Sequence, residues 1–300
     1  MDKWRIVRKF KLKIADITLS LNPEPKKQIL LPKKQNPLDN FISKGPADCV
    51  LDVHSSCLKD FPPFFIEDLL FNTETTWSLY RRKDRNFLWL DSPSPGDQVE
   101  RMAIIDSNFK RANLYQVPDK RYKNYIVDPF SYPLDQVLII NLLSLSRGLL
   151  VHACAVNYKG EGLLFVGKSG SGKTTISNLW HGNNGTRILS DDRIIIRRIE
   201  DDFRIYGTPW YGTGRFASCD SVLLKRIYFL KHARKNNLKL LSDVEACTRL
   251  ITTSFPTFWD RRGMEFVLNF CEELTQGIPC YELGFLPDKR VVDFLKDKMI

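Results

Sequence analysis

The sequence predicts a mixed α/β core preceded by a β-rich region, and three observations carry that expectation. The apolar run Leu163-Leu164-Phe165-Val166 feeds a glycine-rich turn, beyond which Thr175-Ile176-Ser177-Asn178-Leu179-Trp180 has helical character. Arg187-Ile188-Leu189-Ser190 reads as another strand and stops at the pair Asp191-Asp192. Ahead of position 131, short apolar runs alternate with turn-rich segments, the spacing of a mainly antiparallel arrangement. The expected division is a β-rich region over residues 1–130 and the α/β core over 131–300.

In chain order, residues 4–21 alternate loosely through Ile6, Phe10, Leu12, Ile14, Ile17 and Leu19, which fits strands. Residues 23–37, rich in proline and lysine, read as an extended loop. Strand candidates follow at Trp77-Ser78-Leu79-Tyr80, Phe87-Leu88-Trp89-Leu90 and Met102-Ala103-Ile104-Ile105, with a turn at Ser92-Pro93-Ser94-Pro95-Gly96-Asp97. Pro133 suits the first turn of a helix running from Leu134 through Leu143 toward a stop at Gly148. That helix is apolar nearly all round and is expected to pack between the two halves. Residues 149–157 and 162–166 read as strands joined at Tyr158-Lys159-Gly160-Glu161. Beyond the helix after the glycine turn, strands are expected at 187–190, 193–199, 203–206 and 225–230. Helices are expected at 243–251 and 263–275, then a strand at 280–285 and a helix-compatible tail from Asp288. No internal repeat is found.

Composition narrows the class. Of the 300 residues 43% are hydrophobic, enough for a substantial core, yet no apolar run is long enough to span a bilayer. Met1-Asp2-Lys3-Trp4-Arg5 lacks the apolar core of a signal peptide, so a cytoplasmic protein with no membrane partner is expected. The seven cysteines are dispersed and never spaced C-x-x-C, which points to reduced thiols rather than a disulfide framework or a zinc site. The net charge of +10 is uneven: residues 204–239 hold eight lysines or arginines against the single acid Asp220. Such a stretch is either a solvated face or a surface that attracts an anionic ligand or acidic peptide. No nucleic-acid recognition motif accompanies it, and no nucleic-acid partner is expected.

The chemistry is concentrated in three places. Gly167-Lys168-Ser169-Gly170-Ser171-Gly172-Lys173-Thr174 matches G-x-x-x-x-G-K-[ST], the phosphate-binding loop. Glycines let successive N–H groups turn inward around phosphate oxygens, and the helix that opens at Lys173 and continues through Thr175 adds its positive end. In that motif Lys173 reaches the β- and γ-phosphates and the Thr174 hydroxyl ligates Mg²⁺. Asp191-Asp192 at a strand end is the second place, since such an acid holds Mg²⁺ and an adjacent one is free to take a proton. His152, in the apolar setting Leu150-Val151-His152-Ala153, is the third; it is either a core residue or a partner that tunes an aspartate.

Together, Leu150-Val151-His152-Ala153, the glycine loop and Leu189-Ser190-Asp191-Asp192 resemble the HPr kinase/phosphorylase family and its HPr-kinase-like relatives, P-loop kinases related to ATP-dependent phosphoenolpyruvate carboxykinase. The resemblance covers roughly residues 133–230 and implies an HPr kinase/PEP carboxykinase-like P-loop core with a mixed sheet. It implies ATP and Mg²⁺ as cofactors, Asp191 as the base, Asp192 with Thr174 as metal ligands, and His152 as an aspartate's partner. Gly207-Thr208-Pro209-Trp210-Tyr211-Gly212 resembles a G-x-P-W-x-G element of the relatives, expected near the phosphates, and Arg215 beyond it is placed to stabilise transferring charge. The HPr-phosphorylating enzymes carry a further metal-supporting glutamate, and residues 206–220 hold none. HPr is therefore not the expected substrate.

The function expected is transfer of the γ-phosphoryl group to a serine hydroxyl of a peptide or small protein, with strand addition at the β-rich region as one docking route. A homo-oligomer is compatible with this reading. A small-molecule kinase, such as one acting on free serine, is the neighbouring alternative. A nucleotide-binding regulator belongs to another class, against which Lys173, Thr174, Asp191 and Asp192 all argue. A GTPase-type switch would need a base-reading N-K-x-D element, which is absent.

Overall fold

The computed structural model describes residues 3–33, 37–58, 66–90 and 101–299. The chain divides into two units, Met1–Leu142 and Leu143–Ile300.

In the first unit, β1 (Trp4–Val7), β4 (Gln28–Pro32) and β11 (Tyr125–Val127) form a small sheet in the order β1-β4-β11. A larger sheet takes in β2 (Phe10–Ile14), β3 (Ile17–Pro23), β5 (Cys49–Ser55), β6 (Leu69–Asn72), β7 (Trp77–Arg82), β8 (Arg85–Leu90), β9 (Arg101–Asp106) and β10 (Arg111–Gln116). Its order is β2-β3-β5-β10-β9-β8-β7-β6, antiparallel except where β5 pairs with β3 and β10. Alternation makes these strands: Phe10, Leu12 and Ile14 on β2, and Cys49, Leu51 and Val53 on β5, turn one face inward. Ala15 and Asp16 both take positive φ between β2 and β3, the geometry of a two-residue hairpin.

Residues 23–37 are not a single extended loop, which corrects the reading from composition. Ile29, Leu30 and Leu31 are fully buried in β4, paired antiparallel with β1 and parallel with β11; flanking prolines and lysines hid a strand of five residues. The turn expected at residues 92–97 lies outside the described residues.

Arg101 at the start of β9 is buried and donates to the carbonyls of Pro129, Ser131 and Tyr132. Beside it Asp128 sits in left-handed backbone (φ 41), and burial, partly offset by Arg101, pushes its carboxyl up to about 6. A carboxyl raised in the folded state loses stability as pH rises from the unfolded value of about 4 through 6. Asp128→Asn suits left-handed backbone and cannot ionise. Its unfolding free energy relative to wild type is expected to move in the variant's favour by about 2 kcal/mol between pH 4 and 7. Urea titrations across that range check this, and a difference independent of pH would remove Asp128 as the titrating group.

The helix α1 (Leu134–Ser144) is buried at Leu134, Val137, Leu138, Ile139, Leu142 and Leu143.

The second unit begins with β12 (Leu149–Tyr158) and β13 (Glu161–Val166), joined through Lys159 and Gly160, both at positive φ. Then come α2 (Lys173–Trp180), β14 (Thr186–Ser190), β15 (Arg193–Ile199), β16 (Asp202–Tyr206), β17 (Ser221–His232) and β18 (Asn237–Leu240). The chain ends with α3 (Asp243–Ile251), α4 (Arg261–Gly277), β19 (Cys280–Phe285) and α5 (Arg290–Asp297). The strand order is β13-β12-β15-β16-β17-β19-β18 with β14 also on β12, and a parallel β13–β17 ladder closes five strands into a circuit. The sheet is mixed, and its strands are apolar on both faces because both are covered. Val151, Ala153 and Leu164 join a cluster with Leu250, Phe270 and Leu274 of α3 and α4. Cys154, Val156, Leu163 and Phe165 pack instead with Ile176, Trp180, Val291 and Leu295 of α2 and α5.

The seven cysteines are all free thiols. Burial pushes Cys49 and Cys280 up to about 12, leaving them protonated. No described helix is long and apolar enough to cross a membrane.

Candidate functional site

The glycine-rich turn leaves the end of β13 and enters α2 directly. Gly170 (φ 80) and Gly172 (φ 98) hold left-handed backbone, and a Cβ on Gly172 would stand 2.7 Å from the Phe285 ring. Gly172 caps α2 without any side-chain hydrogen bond, so the first N–H groups of the helix are left to the turn itself. The Ser171 hydroxyl is buried with no protein partner. Lys173 is buried, its ammonium donating to the carbonyls of Gly167 (2.9 Å) and Lys168 (3.1 Å). Burial pushes that ammonium below its usual range, and Asp192 offsets part of the effect. An uncapped helix end, an orphaned hydroxyl and a desolvated cation on one turn fit an anionic, phosphate-bearing ligand. Lys168, Ser169 and Gly170 are exposed at its tip, while Thr174 and Thr175 are half-buried on α2.

The acid pair faces this turn from the end of β14. Asp191 is buried, with Oδ1 accepting the Gly212 N–H (2.9 Å) and Oδ2 the Gly214 N–H (2.7 Å). A Cβ at either glycine would approach Asp191 Oδ2 within 2.9 Å, so a larger residue at either position would push the carboxylate aside. Asp192 is half-buried and differently partnered. His152 Nε2 lies 2.9 Å from its Oδ1, and Arg193 donates to its Oδ2. Burial would raise the Asp192 carboxyl, but the His152 hydrogen bond and the Arg193 and Lys173 charges outweigh it and hold the group below the usual range. Phe255 braces both partners, with the Arg193 guanidinium 4.4 Å over its ring and the His152 ring 6.4 Å away.

Backbone ties bring turn and acid pair together. The Gly167 N–H donates to the His152 carbonyl and the Ala153 N–H to that of Asp192. Thr213, between Gly212 and Gly214, places its hydroxyl 3.5 Å from that of Thr174. Lys173, Thr174, His152, Asp191 and Asp192 therefore form one constellation, with residues 207–214 alongside it. Arg215 follows in left-handed backbone (φ 58) with an exposed side chain. Among the described residues no group of three or more His, Cys, Asp or Glu is arranged for a metal. A Mg²⁺ ion needs only one or two protein oxygens when phosphates and water supply the rest; of the two expected donors, the Thr174 hydroxyl lies at the turn, while both Asp192 oxygens already face His152 and Arg193.

The basic stretch is partly neutralised from outside itself: Arg226 pairs with Glu161, Lys231 with Glu282 and Lys239 with Glu245. Sequence reasoning did not single out Arg193, Gly214, Phe255 or His232. Gly214 had a signal in the alternation Gly212-Thr213-Gly214; Arg193 adjoins Asp192 in sequence but meets Phe255 only across the fold, and Phe255 and His232 had no local signal.

No protein-family model matches the chain. Over 59 residues it is 42% identical to the HPr kinase/phosphorylase of Peptoclostridium acidaminophilum, a stretch covering 20% of this chain and 19% of that protein. The chain thus matches about a fifth of that relative's length, a local likeness that supports a distant kinase-like relationship.

Proposed function

We propose that this protein is an ATP- and Mg²⁺-dependent kinase that moves the γ-phosphoryl group to a serine hydroxyl of a peptide or small protein. One observation carries the reading: the Gly167 N–H to His152 carbonyl and Ala153 N–H to Asp192 carbonyl bonds bring the His152–Asp192 pair to the glycine-rich turn that holds the buried Lys173 ammonium. The first would hold the transferring phosphate, and the second would receive the acceptor hydroxyl. The serine oxygen bonds to the γ-phosphorus as the bond to the β–γ bridging oxygen breaks, ADP leaves with that electron pair, and the hydroxyl proton passes to a carboxylate.

We assign that last task to Asp192 in place of Asp191, the residue expected from the resemblance, because Asp191 is fully buried and Asp192 is not. Both Asp191 oxygens are taken by backbone N–H groups in a buried position, so Asp191 serves as the pin that shapes residues 212–214. Asp192 keeps exposed surface and is oriented by His152 and Arg193. A carboxylate held low is a weak base, which suffices where catalysis is mostly positioning and charge stabilisation. Thr174 would hold Mg²⁺, whose role when bound is to neutralise phosphate charge. Arg215 would add positive charge toward the transferring group.

The test is incubation with γ-labelled ATP and Mg²⁺ in the presence of free serine and a panel of serine peptides, with Asp192→Asn as control. Label on a peptide serine is expected. Label on free serine alone would move the function to small-molecule metabolism, and ATP binding without transfer to any acceptor would favour a regulator.

A further inference from the structure

We infer that the ends of β17 and β19 carry the nucleoside half of the donor, with the exposed imidazole of His232 as the face on which the base stacks. This rests on the nucleotide reading of the glycine-rich turn and names a subsite for it. The turn springs from β13, which has β12 on one side and β17 on the other. His152, Asp191 and Asp192 all lie on the β12 side, where the terminal phosphate must sit to meet an acceptor. The α-phosphate and nucleoside then leave across the opposite flank, over β17 and its neighbour β19.

That flank is built for a flat, anionic ligand. His232 is the last residue of β17, and its Nε2 lies 2.9 Å from the Gly170 carbonyl, so the ring is fixed beside the turn. Phe285, the last residue of β19, lies 6.3 Å from it with the two planes 23° apart, and the same phenyl ring abuts Gly172. Phe285 is buried and backs the stack, while His232 is exposed and is its open face. Arg234 and Lys235 follow after Ala233, both exposed, in the connection that passes over the end of β19 to β18, where Asn236 Oδ1 accepts the Leu286 N–H. An aromatic face flanked by cations suits a nucleobase and the phosphate next to its ribose, because every base offers a π-face.

Binding of ATP and of inorganic tripolyphosphate, each with Mg²⁺, tests this by calorimetry on the whole chain. The two ligands share the phosphates and differ in the nucleoside. His232→Ala is expected to weaken ATP about tenfold and tripolyphosphate by less than twofold. His232→Phe keeps an aromatic face without the bond to Gly170 and is expected to retain the wild-type preference for ATP. Equal weakening of both ligands in His232→Ala would mean that the imidazole acts only by bracing the turn, and would overturn the subsite. Unchanged binding of both, or loss of the preference in His232→Phe, would overturn it as well. Wild-type protein that binds neither ligand would sink the phosphate-loop reading with it. Wild-type protein that binds ATP through His232 but phosphorylates nothing would sink the kinase reading alone.

Discussion

Lys173→Met is expected to lower phosphoryl transfer roughly 10²–10³-fold while changing folding stability by no more than about 1 kcal/mol. The two halves of that expectation have separate causes. The ammonium is buried, and burial already works against its charge, so the fold gives up a desolvation penalty when the charge is removed. Against that gain, the carbonyls of Gly167 and Lys168 lose a donor, and the exposed Lys168 finds water in its place. The transferring phosphate has no such substitute. Steady-state transfer assays beside thermal melts read both quantities, and ATP should no longer raise the melting temperature of the variant. Transfer at wild-type rates in Lys173→Met would disprove the assignment of the turn.

Asp191→Asn and Asp192→Asn are expected to fail in opposite ways. An asparagine at 191 turns an N–H₂ toward one of two backbone N–H groups, leaving a buried donor unmatched at about 1–3 kcal/mol. The melting temperature falls by several degrees, and residues 212–214 lose their pin. An asparagine at 192 keeps its shape against His152 and Arg193, in a half-exposed position, so the fold holds. Transfer then drops roughly 10²–10⁴-fold with the Mg²⁺ requirement unchanged, as befits the loss of a proton acceptor. A marked rise in the Mg²⁺ needed for half-maximal rate in Asp192→Asn would return that residue to metal binding. Full stability with abolished transfer in Asp191→Asn would return the base to Asp191.

What the sequence revealed follows from how local each feature is. The turn from Gly167 to Thr174 is contiguous, and its glycines answer to their own backbone. The hairpin at Lys159-Gly160 and the helices α3 and α4 were equally local. β18 was hidden because Asn237-Leu238-Lys239-Leu240 lies at a sheet edge, largely exposed, with no burial pattern to betray it. β10 was hidden because its inward face is Ala112, Leu114 and Gln116, too mixed to read as apolar. The site divides in the same way. Asp191-Asp192 was visible as a pair, but the difference between the two was not. One is held by glycines more than 20 residues later, and the other by a histidine 40 residues earlier. The stack of Arg193 on Phe255 has no counterpart in the linear pattern.

β12 acts as a calliper for the chemistry. On one side Val166, the last residue before the glycine-rich turn, is level with Ala153. On the other side β14 ends and β15 begins around the same point, so Asp192 flanks Ala153 from across the strand. The backbones at Val166 and Asp192 therefore stand two ladder spacings apart, roughly 10 Å, a distance set by backbone hydrogen bonds rather than by any ligand. If the proposed transfer takes place here, a change of acceptor would have to come from the loops beyond these strand ends, because the spacing beneath them is built into the sheet.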